Sequence, residues 1–224
     1  MRLHARIAIV ALSSLAAAAF SACSRSTPHA ERGNVILIVI DGLRADHLTP
    51  YGYSRNTSPF LDELASRSVL FENAISQSSW TKTSVASLLT SLYPDAHGVR
   101  SPTDVLPASA RILPEVLQEH GYRTFAIHGN PWLEERFGFD QGFDDFRFTH
   151  WNKETFDAEK LNDQALRWLE ENSGPPFFLY LHYMDVHTPW KPPRSSIASV
   201  PRTWTSTTDR FGTWIHGSGI STKS

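Results

Sequence analysis

The chain has little cysteine and no strong charge imbalance. Cys23 is the only cysteine among 224 residues, so no disulfide can form within the chain. The formal net charge is −2, so the chain lacks the excess of basic residues that nucleic-acid-binding surfaces need. We therefore expect no nucleic acid partner. The apolar and charged fractions are those of an ordinary globular protein, and the length allows one α/β domain or two small ones.

The sequence also lacks a hydrophobic run of membrane-spanning length. Residues 7–20 are mostly apolar, but the run is shorter than the roughly 20 residues that a transmembrane helix needs. Arg2 and Arg6 precede the run, and the small residues Ser21 and Ala22 follow it. This order predicts a secretory signal peptide over residues 1–23 and therefore an exported protein.

Cys23 follows directly after Ala22, at the end of the predicted signal peptide. This placement resembles a bacterial lipoprotein signal, in which the cysteine is lipidated and becomes the new N-terminus. Cleavage without lipidation, which leaves Cys23 free, is the alternative. We expect a periplasmic or outer-membrane lipoprotein of a bacterium with a lipid anchor in the membrane, or a secreted protein. Residues 24–33 are polar, contain Pro28, and are typical of a tether.

Strand-like and helix-like segments alternate over residues 34–193. Residues 34–40 form an unbroken aliphatic run, which predicts a strand buried on both faces. Further strands are predicted at 69–74, 123–127 and 177–181, and residues 137–148 are predicted to form an ordered loop. Helices are predicted to begin at Ser58 and to cover 113–120 and 156–172, the last with Leu161, Ala165, Trp168 and Leu169 on its inward face. This alternation predicts an α/β layered fold with a mostly parallel central sheet.

Asp41 comes directly after the strand at 34–40. In open α/β sheets, ligands bind beyond the carboxyl ends of the strands. A carboxylate next to a fully apolar strand also requires a polar partner, and a cation is one. A cap on the following turn is the alternative role. We interpret Asp41 as a candidate metal ligand.

Residues 78–84 are rich in hydroxyl side chains and precede a helical segment, which places Thr81 at a helix N-terminus. Free N–H groups and the helix dipole favour phosphate or sulfate at such a position. A threonine hydroxyl can attack an ester there if a metal or a base lowers its pKa, and Lys82 could add positive charge for a transferring group. An N-cap for Thr81 and a solvated surface position for Lys82 are the simpler alternatives.

Polar residues also follow the two later strands. His128 and Asn130 come after residues 123–127 and could reach the site, although ordinary strand-end roles fit them equally well. His182, Asp185 and His187 follow residues 177–181 and form a candidate cluster of ligands or general acids.

Six segments occur in the order that is typical of sulfatases, which belong to the alkaline phosphatase superfamily. They are NVILIVIDGLRADHLTPYGY, TSPFLDELASRSVLFENAISQ, TSVASLLTSLYPDAHGV, GYRTFAI, GFDQGFDDF and FLYLHYMDVHTPW. The resemblance covers residues 34–193. It implies an α/β domain with a central mixed sheet, a divalent cation, and covalent attack on a sulfate or phosphate ester.

The resemblance also implies roles for single residues. Asp41 matches the first metal-binding acidic residue, with Gly42 in the place of the usual second aspartate. Thr81 stands where sulfatases have the cysteine or serine that is oxidised to formylglycine, an aldehyde that threonine cannot form. His187 matches the histidine of the HxP motif, which contacts the oxygens of the substrate.

Three other family positions differ. Val85 replaces an arginine, and Asn130 and Trp132 replace the lysine and histidine of the GKWH segment. These differences fit the threonine-dependent members of the superfamily, the phosphodiesterases and phosphoethanolamine transferases, in which the threonine oxygen is metal ligand and nucleophile. The resemblance therefore implies a metal-dependent hydrolase of sulfate or phosphate esters that uses Thr81, or alternatively a phosphoethanolamine-type transferase. The metal is calcium, zinc or manganese, and the substrate is a small molecule or a glycan or lipid ester.

Family members are usually much longer than this chain. Their second pair of metal ligands and a further lysine have no counterpart in residues 194–224, of which the last 30 contain 13 serines and threonines. This composition is typical of translation in a shifted frame and predicts an irregular tail. We therefore expect an incomplete, C-terminally truncated domain, and a catalytically inactive exported lipoprotein is the second hypothesis. An extracytoplasmic binding protein on the same scaffold is a third possibility, for which the sequence has no positive signal.

Overall fold

The structure is a computed structural model that describes residues 32–149, 158–172, 174 and 176–188. The chain divides after Gly33 into two units, Met1–Gly33 and Asn34–Ser224, and every element below belongs to the second unit. The predicted signal peptide with Cys23, residues 24–31 of the predicted tether and the tail at 194–224 lie outside the described residues.

The centre of the described unit is a four-stranded sheet in which all neighbouring strands run parallel. The spatial order of the strands is β1-β4-β2-β3. Their bounds are Val35–Ile40 for β1, Arg123–His128 for β2, Asp145–Phe148 for β3 and Phe177–Tyr183 for β4. The predicted α/β fold with a mostly parallel sheet is confirmed.

Five α-helices surround the sheet in the described residues. They are α1 (Pro59–Ser66), α2 (Thr81–Thr90), α3 (Pro94–His97), α4 (Leu113–Glu119) and α5 (Ala158–Glu171). Short 3-10 turns occupy Ala45–His47, Thr49–Tyr51, Pro131–Leu133 and Glu135–Phe137. None of the helices in the part of the chain described here is both long and apolar enough to cross a membrane.

The strands bury alternate side chains against helices on the two faces of the sheet, as the two-residue period of a strand requires. One core contains Ala126, Phe178 and Tyr180 from the sheet, together with Val85 and Leu89 of α2. The second core joins Phe125, Ile127, Leu179 and Leu181 to the inward face of α5, which presents Leu161, Ala165 and Trp168 as predicted. The helices thereby hold the carboxyl ends of β1, β2 and β4 in fixed positions.

The prediction that residues 34–40 are buried on both faces is wrong. Ile36 is 51% exposed and Ile38 is 46% exposed, whereas Val35, Leu37 and Val39 pack against the core that contains α2. The physical reason is the position of α5, which packs on β2 and β4 and leaves Ile36 and Ile38 of β1 uncovered. Among the described strands, β1 lies at the edge of the sheet.

Two further predictions about strands are wrong. Residues 69–74 contain no strand in the described structure, and Val69 and Phe71 are exposed. A strand forms only by pairing, and none of the four described strands pairs with this segment. Conversely, the predicted loop at 137–148 ends in β3, because Asp145–Phe148 pairs in register with Phe125–His128.

Candidate active site

The carboxyl ends of three neighbouring strands bring the candidate residues together. Asp41 follows β1, His128 ends β2, and His182 lies near the end of β4. The register pairs His128 with His182 and Val39 with His182, so the three strand ends lie side by side. Parallel pairing therefore assembles a polar site from segments that are far apart in the sequence.

Asp41 accepts hydrogen bonds from three side chains on one carboxylate oxygen, Oδ2. Thr81 Oγ1 donates at 2.8 Å, Asn130 Nδ2 donates at 2.9 Å, and His182 Nε2 lies at 3.4 Å. Burial favours a raised pKa for Asp41, but the hydrogen bonds of His182 and Thr81 outweigh it and lower the pKa. Asp41 is therefore a carboxylate at neutral pH.

Thr81 is the first residue of α2, and its hydroxyl bonds to Asp41 rather than capping the helix. The residue that precedes it, Trp80, has extended backbone angles and provides no side-chain cap. The N–H groups of the first turn of a helix have no intrahelical acceptors and carry the positive end of the helix dipole. The arrangement thus places together a hydroxyl, a carboxylate and the positive end of a helix, which are groups able to act as a nucleophile, a proton acceptor and an anion-binding site.

A buried hydrogen bond fixes His182 behind Asp41. The hydroxyl of Tyr180 lies 2.7 Å from His182 Nδ1, and both side chains are almost completely buried. Burial raises the pKa of Tyr180, so its hydroxyl keeps its proton and can donate to Nδ1 of His182, which directs the Nε2–H of His182 at Asp41. Sequence analysis missed Tyr180, although its spacing of two residues from His182 places both on one face of a strand.

Lys82 is fully buried, so the alternative of a solvated surface position is wrong. Its ammonium donates to the carbonyl oxygens of Pro102 (2.9 Å) and Asp104, and it lies 3.6 Å from the centre of the Phe137 ring. Burial lowers the pKa of Lys82. These contacts tie the start of α2 to the loop at 102–104.

His128 is completely buried beside the site. Its Nδ1 donates to the Asn130 carbonyl oxygen at 3.1 Å, and its ring packs on Phe146 and Phe148. Burial lowers the pKa of His128 to about 3, so the ring is neutral. The side chain of Asn130 contacts Asp41 directly. Its Nδ2 donates to the Asp41 carboxylate, and its Oδ1 accepts a hydrogen bond from the Trp132 backbone N–H.

A cavity of about 120 Å³ opens next to Thr81. Its wall consists of Trp80, Thr81, Asn130, Pro131, Trp132, Met184, His187 and Thr188. The structure therefore brings His187 and Asn130 to the cavity beside Thr81 and does not place His128 or Lys82 in its wall. Asp185 does not belong to the cavity wall; its carboxylate accepts a hydrogen bond from the Ala158 backbone N–H at the start of α5.

Asp41 and Thr81 are the candidate metal donors that the described residues bring together. Asp41 and Thr81 offer a carboxylate and a hydroxyl within 2.8 Å of each other, which are oxygen donors of the kind that divalent cations bind. In residues 32–149, 158–172 and 176–188, no three histidine, cysteine, aspartate or glutamate side chains form a metal-binding group. A protein-bound divalent cation needs about four or more ligands, so the donors present fit a metal as a partial set.

The parallel sheet, its helix cover and the acid–threonine pair at the strand ends define an α/β protein with the layered fold of the alkaline phosphatase and sulfatase enzymes. The sulfatase family model matches residues 33–210, and the chain belongs to the sulfatase family.

Individual proteins agree with this assignment. The iduronate 2-sulfatase of Mus musculus is 27% identical to this chain over an alignment that covers 72% of this chain and 36% of that protein. For the N-acetylglucosamine-6-O-sulfatase of Bacteroides thetaiotaomicron the identity is 25%, with 78% and 35% covered. The chain thus spans about a third of the length of these curated relatives.

The fold also matches solved structures. A protein in the alkaline phosphatase superfamily from Vibrio parahaemolyticus superposes on this chain with a TM-score of 0.63 and 20% sequence identity. The superposition covers 82% of this chain and 48% of that chain. At this identity the likeness shows the fold alone, and the activity has to be argued from the site.

Proposed function

We propose that this chain carries the nucleophile half of a metal-dependent hydrolase for sulfate or phosphate esters, with Thr81 as the attacking residue. The observation that carries the proposal is the 2.8 Å hydrogen bond from Thr81 Oγ1 to Asp41 Oδ2 at the start of α2. The nucleophile, a proton acceptor and an anion-binding helix end occur together beside a cavity that admits a small ligand.

In the proposed reaction, the Thr81 oxygen forms a bond to the phosphorus or sulfur of the ester and its proton passes to Asp41. The bond from phosphorus or sulfur to the alcohol oxygen breaks, and His187, in the cavity wall, supplies the proton that the leaving oxygen takes up. Water then attacks the phosphorus or sulfur of the phosphorylated or sulfated Thr81 and gives a proton to His187, while the bond to the Thr81 oxygen breaks. The Thr81 oxygen takes back the proton held by Asp41, and the inorganic anion is released. During both steps, the first-turn N–H groups of α2 bind the non-bridging oxygens.

A divalent cation would be held by Asp41 and Thr81, together with further ligands. When bound, such a cation lowers the pKa of a hydroxyl and neutralises charge on the transferring group. Calcium, zinc and manganese all accept these oxygen donors. Asn130 and His182 keep the Asp41 carboxylate oriented through their hydrogen bonds to Oδ2.

Two observations bear on whether the ester is a sulfate or a phosphate. Membership of the sulfatase family supports a sulfate ester, and a threonine, which cannot form the aldehyde of formylglycine, supports a phosphate ester at least equally. The names of the relatives point to small glycan esters, because one of them is an N-acetylglucosamine-6-O-sulfatase. We further propose export to the periplasm or beyond, with lipidation at Cys23.

The proposal is tested with 4-nitrophenyl phosphate and 4-nitrophenyl sulfate, after chelation and separate addition of calcium, zinc and manganese. Thr81→Ala should lower turnover by about 10³-fold or more, whereas Thr81→Ser should retain measurable turnover. Thr83→Ala is the matched control, because Thr83 lies in the same helical turn and is not in the cavity wall.

Two results would contradict the proposal. Undiminished turnover by Thr81→Ala would remove Thr81 as the nucleophile. If the unaltered chain, correctly folded, turns over neither ester with any of the three metals, the catalytically inactive exported protein becomes the better description. The incomplete set of metal donors among the described residues is the observation that favours this second candidate.

A further inference from the structure

An apolar edge of the sheet lies along β1. In the part of the chain that the structure describes, β1 pairs with β4 on one side and with no strand on its other side. Ile36 and Ile38 are 51% and 46% exposed on the face that α5 leaves uncovered. Exposed apolar side chains along an open strand edge mark a surface that can accept a further strand.

The backbone of β1 presents hydrogen-bonding groups to this open side. The Asp41 N–H donates to the Tyr183 carbonyl oxygen at 2.9 Å, so the backbone groups of Asp41 point at β4. Successive residues of a strand direct their N–H and C=O groups to opposite sides. Ile36 and Ile38 lie an odd number of residues before Asp41, and their N–H and C=O groups therefore point away from β4. These groups are a template for a new ladder of hydrogen bonds.

The opposite edge of the described sheet, β3, is protected in a way that β1 is not. β3 has four residues, and its Asp145 and Arg147 form an ion pair at 2.6 Å. Short strands and charged side chains are common means by which proteins prevent association between sheet edges. β1 has six residues, all of them valine, leucine or isoleucine. The composition of β1, unlike that of β3, therefore favours pairing with another strand.

The same composition makes β1 complementary to itself. Two copies of an uncharged strand meet without repulsion between like charges, and β-branched side chains pack well across paired strands. A two-fold axis perpendicular to the sheet brings two identical edges together in antiparallel order. With Ile36 opposite Ile38 of the second copy, the outward N–H and C=O groups of both residues pair. The four isoleucine side chains then cover one another on the exposed face.

We propose that two copies of this chain associate by antiparallel pairing of their β1 strands, which joins the two four-stranded sheets into one. The pairing uses no residue of the cavity wall beside Thr81, so it is independent of the proposed function. A single pair of strands buries less surface than a standard interface of about 1,600 Å². The dimer is consequently weak, and its population increases with protein concentration.

Analytical ultracentrifugation of the unaltered chain at increasing protein concentration tests the association. The sedimenting species should change from monomer to dimer. Ile38→Lys places a charge in the contact and should raise the dissociation constant by about tenfold or more. Leu88→Lys is the matched control, because Leu88 has the same 46% exposure but lies on α2, and this variant should dimerise like the unaltered chain.

A mixture of methyl-labelled and unlabelled chain tests the strand register directly by NMR. Isotope-filtered NOEs should connect the methyl groups of Ile36 in one copy with those of Ile38 in the other, and Ile36→Val and Ile38→Val assign the signals. This measurement on the unaltered chain decides the question even if Ile38→Lys does not fold. A monomer at every concentration, a dimer without these NOEs, or equal association of a folded Ile38→Lys protein would overturn the proposal.

Discussion

Asp41 shows how much of this site depends on a single atom. Its Oδ2 accepts hydrogen bonds from Thr81 on α2, from Asn130 after β2 and from His182 on β4. Each donor restrains the direction of the carboxylate, and the carboxylate in turn holds the Thr81 hydroxyl. Tyr180 acts one step further away, because its hydroxyl decides which nitrogen of His182 carries the hydrogen.

Replacement of Tyr180 by phenylalanine tests this chain of hydrogen bonds. The change leaves His182 Nδ1 as a buried acceptor without its donor, which should lower the free energy of unfolding by about 1–3 kcal/mol. The ¹⁵N chemical shifts of the His182 ring should show Nε2–H in the unaltered chain and a changed Nδ1 signal in Tyr180→Phe.

Tyr183→Phe is the matched control for this measurement. Tyr183 is also a buried tyrosine of β4, but its hydroxyl donates to Asn162 Oδ1 at 2.6 Å on the other face of the sheet. Its replacement should lower stability to a similar extent and leave the His182 signals in place. If Tyr180→Phe leaves those signals unchanged, Tyr180 does not set the tautomer of His182.

At the scale of elements, the segment before β3 is held against α4 by a close backbone approach. Gly142 has φ of +70°, and a Cβ atom added there would lie 2.3 Å from the backbone nitrogen of Glu115 in α4. The Gly142 carbonyl oxygen accepts a hydrogen bond from Thr124 Oγ1 at the start of β2. The approach therefore aligns β3 with β2 and supports the strand end that carries Asn130.

Gly142→Ala should be strongly destabilising, because it combines an unfavourable φ with an overlap against backbone atoms that cannot move aside. Gly98→Ala isolates the first effect, since Gly98 has φ of +76° and open space around its Cα. We expect a loss of about 1–2 kcal/mol for Gly98→Ala from the left-handed backbone conformation alone. The loss for Gly142→Ala should be clearly larger in chemical unfolding, and equal losses would show that the overlap is relieved.

At the scale of the whole molecule, two buried histidines make stability depend on pH. His97 accepts the Val99 backbone N–H with Nδ1 and contacts Ser87 Oγ with Nε2 at 2.9 Å, and burial lowers its pKa. Burial also lowers the pKa of His128, to about 3, and its Nε2 has no hydrogen-bond partner within the described residues. Protonation of either ring would place a charge in the interior.

Both histidines should make the folded state less stable in acid. An unfolded histidine has a pKa of about 6.5, so above that pH both states are neutral and the stability is complete. As the pH falls below 6.5, the histidines of the unfolded state bind protons, whereas those of the folded state stay neutral, and the free energy of unfolding decreases. The decrease continues down to the pKa of the folded state, which for His128 is about 3. The slope is at most about 1.4 kcal/mol per pH unit for each histidine.

Urea unfolding at pH 7.5, 6.5, 5.5 and 5.0 measures this dependence. His128→Phe keeps a ring between Phe146 and Phe148 and removes one titrating group, so its stability should fall less between pH 6.5 and 5.0. His120→Phe alters an exposed histidine and should retain the full dependence. Constant stability of the unaltered chain across this range would contradict the prediction.

Local sequence patterns predicted those helices and strands that can be recognised from the spacing and propensity of their own residues. The aliphatic run before Asp41, the hydroxyl-rich start of α2 and the inward face of α5 at Leu161, Ala165 and Trp168 all follow from spacing and propensity. The order of the motifs added the family, and the resemblance implied roles for Asp41 and Thr81. β3 could not be predicted in this way, because four residues after a glycine-rich loop become a strand only by pairing with β2.

The sequence by itself determined the parallel α/β class, the family and the positions of Asp41 and Thr81, because these depend on local periodicity and on motifs in a fixed order. Only the tertiary structure decided which polar residues meet. It directed Tyr180 and His182 at Asp41, buried Lys82 on the carbonyls of the 102–104 loop, and placed Trp80 beside Trp132. Contacts of this kind join residues that are distant in the chain and depend on strand register and helix packing, which no local pattern encodes.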